Sequence, residues 1–148
     1  MPSVRGRTKV ALVVLGVFAL MQLFPYRVTN PPERTDPPWD SPATRRLVVT
    51  ACYDCHSNET RLAWYDKIAP ASWWVTRHVE AGRRAMNFSE WQRRGAPLND
   101  AIETVRNGSM PPGYYTWLGL HASARLSPAE RQRLIRAFEV LRDRSPAG

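Results

Sequence analysis

Apolar residues along this chain fall into one continuous block followed by several periodic ones. From Val10 to Phe24 the sequence is apolar except for Gly16 and Gln22, and Arg5, Arg7 and Lys9 precede the block. A basic segment (1–9) leading into such a block predicts an export signal or signal-anchor over 10–26. No small-x-small cleavage site follows in Leu23-Phe24-Pro25-Tyr26-Arg27, which favours an uncleaved transmembrane anchor, with cleavage as the alternative. At ~1.5 Å per residue the block is somewhat shorter than a ~30 Å hydrocarbon core, so spanning needs Thr8 and Tyr26 at the interfaces and Lys9 snorkelling. The basic end then stays cytoplasmic. This predicts a single-pass protein of the cytoplasmic (inner) membrane with the rest of the chain on the periplasmic side.

Polar residues and prolines take over next. Residues 27–41 carry Pro31, Pro32, Pro37 and Pro38, with Pro42 just beyond, and predict an extended linker that lifts the following domain off the bilayer. Residues 42–148 have the length of one small domain. Helical punctuation dominates it. Asp40 or Ser41 can cap a helix with Pro42 in its first turn, and Ala43 to Ala51 reads as helix with Leu47, Val48 and Ala51 on one face. A helix follows Ser72 and runs to about Met86, and Ser89-Glu90-Trp91 opens a short turn. Asn99 can cap Asp100 to Arg106, and Asn107-Gly108 is a helix stop. Ser127-Pro128-Ala129-Glu130 is a capping box ahead of Leu134, Ile135, Phe138 and Leu141, which recur at helical spacing. No segment alternates as a half-buried strand would. The expected fold class is all-α, behind a transmembrane helix and a Pro-rich linker.

The candidate chemistry lies where the first of these helices ends, at Cys52-Tyr53-Asp54-Cys55-His56. A Cys-x-x-Cys-His run is the attachment signature for c-type haem. Two thiols three positions apart on a helical turn can form thioethers to the two vinyl groups of one porphyrin. The adjacent imidazole then falls on the same side, as proximal iron ligand. These are the only two cysteines in 148 residues, which leaves none for a disulfide framework elsewhere. Three other readings compete: a thiol–disulfide redox pair, a zinc site, and a chance local disulfide. The redox pair normally opens a helix after a strand in a βαβ unit, and no such strand precedes Cys52. Zinc needs further ligands, and no second Cys/His pair follows at finger spacing.

Methionine is the common sixth ligand of electron-transfer haem. The domain offers Met86, inside a predicted helix, and Met110, in the loop Gly108-Ser109-Met110-Pro111-Pro112-Gly113 after a helix stop. The two prolines stiffen that loop, which favours Met110. His78 and His121 are the rivals for a bis-histidine site. Six tryptophans are many for so small a domain. They fill a core in the plain account, but a flat apolar porphyrin also needs flat apolar walls, for which Trp64, Tyr65, Trp73, Trp74, Tyr115 and Trp117 are candidates.

The chain resembles the haem-binding domain family of short, membrane-anchored bacterial proteins with a cytochrome-c-like fold. The resemblance rests on Ala51-Cys-Tyr-Asp-Cys-His-Ser-Asn-Glu-Thr60, Trp64-Tyr65, Ile68-Ala-Pro-Ala-Ser-Trp73, Val79-Glu80-x-Gly82-Arg83 and Asn87-Phe-Ser-Glu-Trp91. It continues through Met110-Pro-Pro-x-Tyr-Tyr115 and His121-x-x-Ala-Arg-Leu-Ser127. One departure is Leu62-Ala63, where members often carry Trp-Pro. The resemblance implies one covalent haem c on Cys52, Cys55 and His56, and it is compatible with Met110 as the distal ligand.

Charge adds a partner class. The net value is +8, and Arg83-Arg84, Arg93-Arg94, Arg131, Arg133 and Arg136 could attract an acidic redox protein. No nucleic-acid recognition motif appears. No nucleophile–base set argues for catalysis, so the expectation is a membrane-anchored electron-transfer cytochrome and not an enzyme. The alternative is a haem-based sensor or small-ligand protein with a weak or open sixth iron position.

Overall fold

A computed structural model describes residues 4–32, 34–91, 97–117 and 121–144. Among these the regular elements are helical: α1 (Val4–Met21), α2 (Pro42–Ala51), α3 (Tyr53–His56), α4 (Ala71–Ala85), α5 (Leu98–Asn107) and α6 (Pro128–Arg144), with short 3₁₀ turns at Tyr65–Lys67 and Ala122–Ala124. The all-α expectation holds for the described residues.

Local chemistry sets most of the helix ends. Ser41 caps α2 by accepting a hydrogen bond from the Thr44 amide at 3.1 Å, with Pro42 at the first position, where a missing N–H costs nothing. The capping box of α6 is reciprocal. The Glu130 carboxylate accepts from the Ser127 amide at 2.9 Å, and Ser127 Oγ accepts from the Glu130 amide at 3.3 Å. Gly108 ends α5 at φ 82°, a left-handed conformation that suits glycine. Two starts differ from expectation. Burial of Leu98 draws α5 back one residue past Asn99, so that Pro97 supplies the first carbonyl, to the Ala101 amide. Ser72 lies buried inside α4, which starts at Ala71.

The core forms where α5 lies against α6 and α2 closes over them. Leu134, Ile135, Phe138 and Leu141 are all buried, as their spacing predicts, and meet Leu98, Ile102 and Val105 of α5 and Val48 and Ala51 of α2. Phe88, in the turn after α4, is fully buried at the centre of the aromatic packing. Its ring stacks on Tyr53 at 5.4 Å and Phe138 at 6.3 Å, and Trp39 tilts against it at 5.5 Å. The short α3 packs against α4. Gly82 makes that contact possible, because a Cβ there would lie 2.5 Å from the Cys55 carbonyl oxygen.

The Pro-rich segment is extended, as its composition requires, but it is not a free linker. It runs over the domain as a strap. Asn30 exchanges hydrogen bonds with the Thr60 backbone at 2.9 and 3.2 Å, and Thr35 donates to the Ser89 carbonyl at 2.9 Å. Asp36 accepts from Tyr53 at 2.6 Å and pairs with Arg45 at 2.7 Å, while Pro37 is buried. These partners lie far along the chain, which composition alone does not reveal.

The expected membrane anchor is corrected as well. Among the described residues no helix is long and apolar enough to cross a membrane. Helix α1 has 18 residues, roughly 27 Å at ~1.5 Å per residue, but Arg5, Arg7 and Lys9 lie within it. Its uncharged part, Val10 to Met21, covers only about 18 Å of a ~30 Å core. The apolar block does not continue as helix through Phe24 and Tyr26, because those residues turn onto α4. Gln22 exchanges two hydrogen bonds with the Ala69 backbone at 3.1 Å, and Trp73 and Thr76 donate to the Phe24 and Tyr26 carbonyls. The transmembrane signal-anchor is therefore not supported. The single-pass inner-membrane location derived from it, with the domain on the periplasmic side, falls with it.

Two substitutions test this packing by urea unfolding. Phe88→Ala should lower stability by about 3–5 kcal/mol, the usual cost of emptying a buried phenylalanine site. Gly82→Ala should raise stability by up to ~1 kcal/mol if helix propensity decides, but the close approach to Cys55 predicts a loss of about 1–3 kcal/mol. A stabilised Gly82→Ala protein would refute the α3–α4 contact.

Candidate functional site

Helix α2 ends at Cys52, whose amide still donates to the Val48 carbonyl at 2.8 Å. The chain then kinks and rewinds: the Cys52 carbonyl accepts from Cys55 N at 3.2 Å and His56 N at 2.9 Å. That single turn sets the two cysteines on a common side. Tyr53 points the other way, buried against Phe88. Cys52, Cys55 and His56 all line one pocket of about 670 Å³, within the ~300–1,000 Å³ range of small-molecule and cofactor sites. Its walls are largely apolar, with Leu62, Val75, Val79, Ala85 and Leu126 among them.

His56 is held twice by the segment that follows α4. Its Nδ1 lies 3.0 Å from the Met86 carbonyl oxygen, and its own carbonyl accepts from the Phe88 amide at 2.8 Å. A carbonyl can only accept, so Nδ1 carries the proton and the lone pair is on Nε2, the tautomer a metal-binding imidazole needs. Burial lowers the His56 pKa, and the bond to Met86 offsets this only in part. The ring is therefore neutral near pH 7.

The thiols are free and half-buried. Loss of hydration, with the neighbouring sulfur adding to it, pushes Cys52 up to about 12. Burial, followed by the Asp54 carboxylate, pushes Cys55 up to about 11. A thiol–disulfide redox pair depends on a thiolate stabilised well below its ordinary range, so these shifts run against that reading. Among the described residues no three His, Cys, Asp or Glu side chains converge as a metal-ion site, so the zinc reading gains no support.

Met110 lines the same pocket and is about a third exposed (36%). Its amide donates to the Thr104 carbonyl at 3.1 Å, which ties the loop back to α5. The rival ligands line the pocket too, each engaged with neighbours. His78 Nδ1 lies 2.8 Å from the Trp74 carbonyl, and its ring packs on Trp74 at 4.1 Å. His121 stacks on Tyr115 at 4.1 Å and 9°. Met86 also lines the pocket and packs partly buried against the core. Of the aromatic candidates, Tyr65, Trp74 and Tyr115 reach the pocket. Trp64 and Trp117 are largely exposed, while Trp73 faces Phe24.

Two polar residues that sequence reasoning left without a site role shape this region. The Asp54 carboxylate accepts from Arg61 Nε at 3.1 Å and from the Tyr115 hydroxyl at 2.8 Å. Arg83, expected on a docking face, instead turns inward. It donates to the Ser57 and Thr29 carbonyls at 2.7 and 2.6 Å, and to Asn30 Oδ1 and Thr60 Oγ1 at 2.8 and 2.9 Å. Burial lowers its pKa, as expected of a guanidinium among neutral acceptors. Its place beside Gly82 was visible in sequence; its four acceptors, scattered from 29 to 60, were not. Arg131 likewise donates to the Val105 carbonyl and Arg84 pairs with Glu80 at 3.8 Å, while Arg93 and Arg94 lie outside the described residues.

The residues present fit a haem. Two unpaired thiols, an imidazole of fixed tautomer and a thioether line one largely apolar cavity of suitable size. Comparison with known proteins agrees: a profile of the haem-binding domain matches residues 16–139. No curated protein and no solved structure matches the chain. The match covers most of the sequence, including every residue of the pocket, and the chain belongs to the haem-binding domain family.

Proposed function

We propose that this protein is a monohaem c-type electron carrier. Cys52 and Cys55 would hold the haem covalently, and His56 and Met110 would ligate its iron. The observation that carries the reading is the His56–Met86 bond, which fixes an imidazole beside two thiols in a single apolar pocket. The two free thiols would hold the haem by thioether bonds to its vinyl groups, an addition that needs no oxidant. Once bound, the haem supplies one-electron ferrous–ferric exchange at its iron. The chain's own residues do the rest. Met86 keeps His56 in the ligating tautomer, apolar walls exclude water, and the 108–113 loop presents the Met110 thioether. The fit to an acidic redox partner rests on Arg133 and Arg136, which are exposed on α6, joined by Arg77, exposed on α4.

Two measurements test the reading. The purified protein, denatured and resolved by gel electrophoresis, should keep its haem stain, and Cys52→Ala with Cys55→Ala should abolish it. Stain lost from the intact sequence would remove covalent attachment. The ferric protein should show the weak near-infrared charge-transfer band of thioether ligation, and Met110→Ala should lose it while gaining rapid carbon monoxide binding in the ferrous state. If the unaltered protein already binds carbon monoxide rapidly and fully, the sixth position is open and the sensor alternative replaces the carrier.

A further inference from the structure

Asp54 stands between the two cysteines, and the chemistry above makes no use of its carboxylate. Its side chain is mostly buried (13% exposed) against Arg61, so it is an acceptor fixed within the motif turn. The group it receives comes from far along the chain: Tyr115 donates to Asp54 Oδ2 at 2.8 Å across 61 residues. Tyr115 lies five positions after Met110, in the same loop. The neighbouring Tyr114 ring meets Trp74 of α4 edge-on at 5.3 Å, while Tyr115 stacks on His121. Adjacent tyrosines thus hold the loop on two sides, one on α4 and one on the motif turn.

We propose that Asp54 and Tyr115 form a clasp that positions Met110 over the haem iron and so decides whether the sixth coordination site stays closed. The inference rests on the assignment of Met110 above. Its logic is pre-organisation. A half-exposed loop that must present a thioether loses conformational freedom when it closes, and a tie to the turn that carries the proximal side of the site lowers that loss at the moment of ligation. The acceptor is a charged carboxylate, which makes the tie stronger than a neutral hydrogen bond. Burial above all, and then the carboxylate itself, raise the Tyr115 pKa, so the hydroxyl stays protonated and able to donate. Asp54 and Tyr115 are positioning residues, and neither needs to touch the iron.

The test uses the haem-loaded, full-length protein. Tyr115→Phe keeps the ring and its stacking on His121 but removes the donor. It should speed carbon monoxide association to the ferrous protein about tenfold or more, the worth of a hydrogen bond to a charged group. It should also weaken the near-infrared band, with haem content unchanged. Asp54→Ala, which also releases Arg61, should act in the same direction, and the double substitution should not exceed Asp54→Ala, because the bond that Tyr115→Phe removes is then already lost. Thr116→Val removes a loop hydrogen bond to the Gly113 carbonyl that does not reach the motif, and should leave the rate alone. A Tyr115→Phe rate within twofold of the unaltered protein overturns the clasp, as does equal acceleration by Thr116→Val. Failure of the Met110 assignment shows differently. The unaltered protein would then lack the near-infrared band before any substitution, and the clasp would fall with it.

Discussion

The fold turns on one residue being grasped twice. The ring and the carbonyl of His56 both bond to residues 86–88, the three that follow α4. For this to happen α4 must end where it does and lie against the motif turn, and that proximity is set by the absence of a side chain at Gly82. The same short segment sends Phe88 into the centre of the core, against Tyr53 from inside the motif. Functional geometry and core packing are therefore one construction. A shift of the 86–88 segment would misorient the imidazole and loosen the aromatic cluster together, because side chains packed to interior density transmit displacement and do not absorb it.

The pocket follows from that arrangement. One helical turn sorts its residues between two sides, with Cys52, Cys55 and His56 toward the cavity and Tyr53 toward the core. The surrounding walls are apolar enough to push both thiols well above their ordinary range. Such an environment suits a large flat hydrophobic body, and it disfavours the thiolate on which disulfide exchange depends. The family match and the cavity chemistry reach haem by separate routes.

Features governed by neighbours in sequence were legible beforehand. Ser41 with Pro42, the Ser127–Glu130 box, the Gly108 stop and the Leu134–Leu141 face each depend on residues within a turn or two. The motif itself is of this kind. What escaped notice depends on partners remote in the chain. Arg83 looks like any solvated helix arginine until the strap supplies Thr29 and Asn30 beneath it. The prolines of 27–41 correctly forbid helix, yet they say nothing about whether extended chain floats or lies down, and Trp39 and Pro37 settle that by burial. The apolar block misled for a related reason. Its hydropathy reads as one continuous span, whereas tertiary hydrogen bonds to Ala69 and α4 draw the chain beyond Met21 out of the helix, and its charged first turns shorten what remains.

The strap also fixes where the domain begins. A chain cut at Pro42, the boundary that composition suggests, would keep every residue of the haem pocket and still be an injured protein. Arg83 would lose two of its four acceptors while its guanidinium remained half-buried, and Tyr53 would lose Asp36. The gap left by the Trp39 ring would open beside Phe88 and Phe138. The domain therefore reaches well ahead of Pro42: the thirteen residues from Thr29 to Ser41 are one of its walls, supplied from its N-terminal side, and the bonds of Gln22, Phe24 and Tyr26 extend that wall further back along the chain.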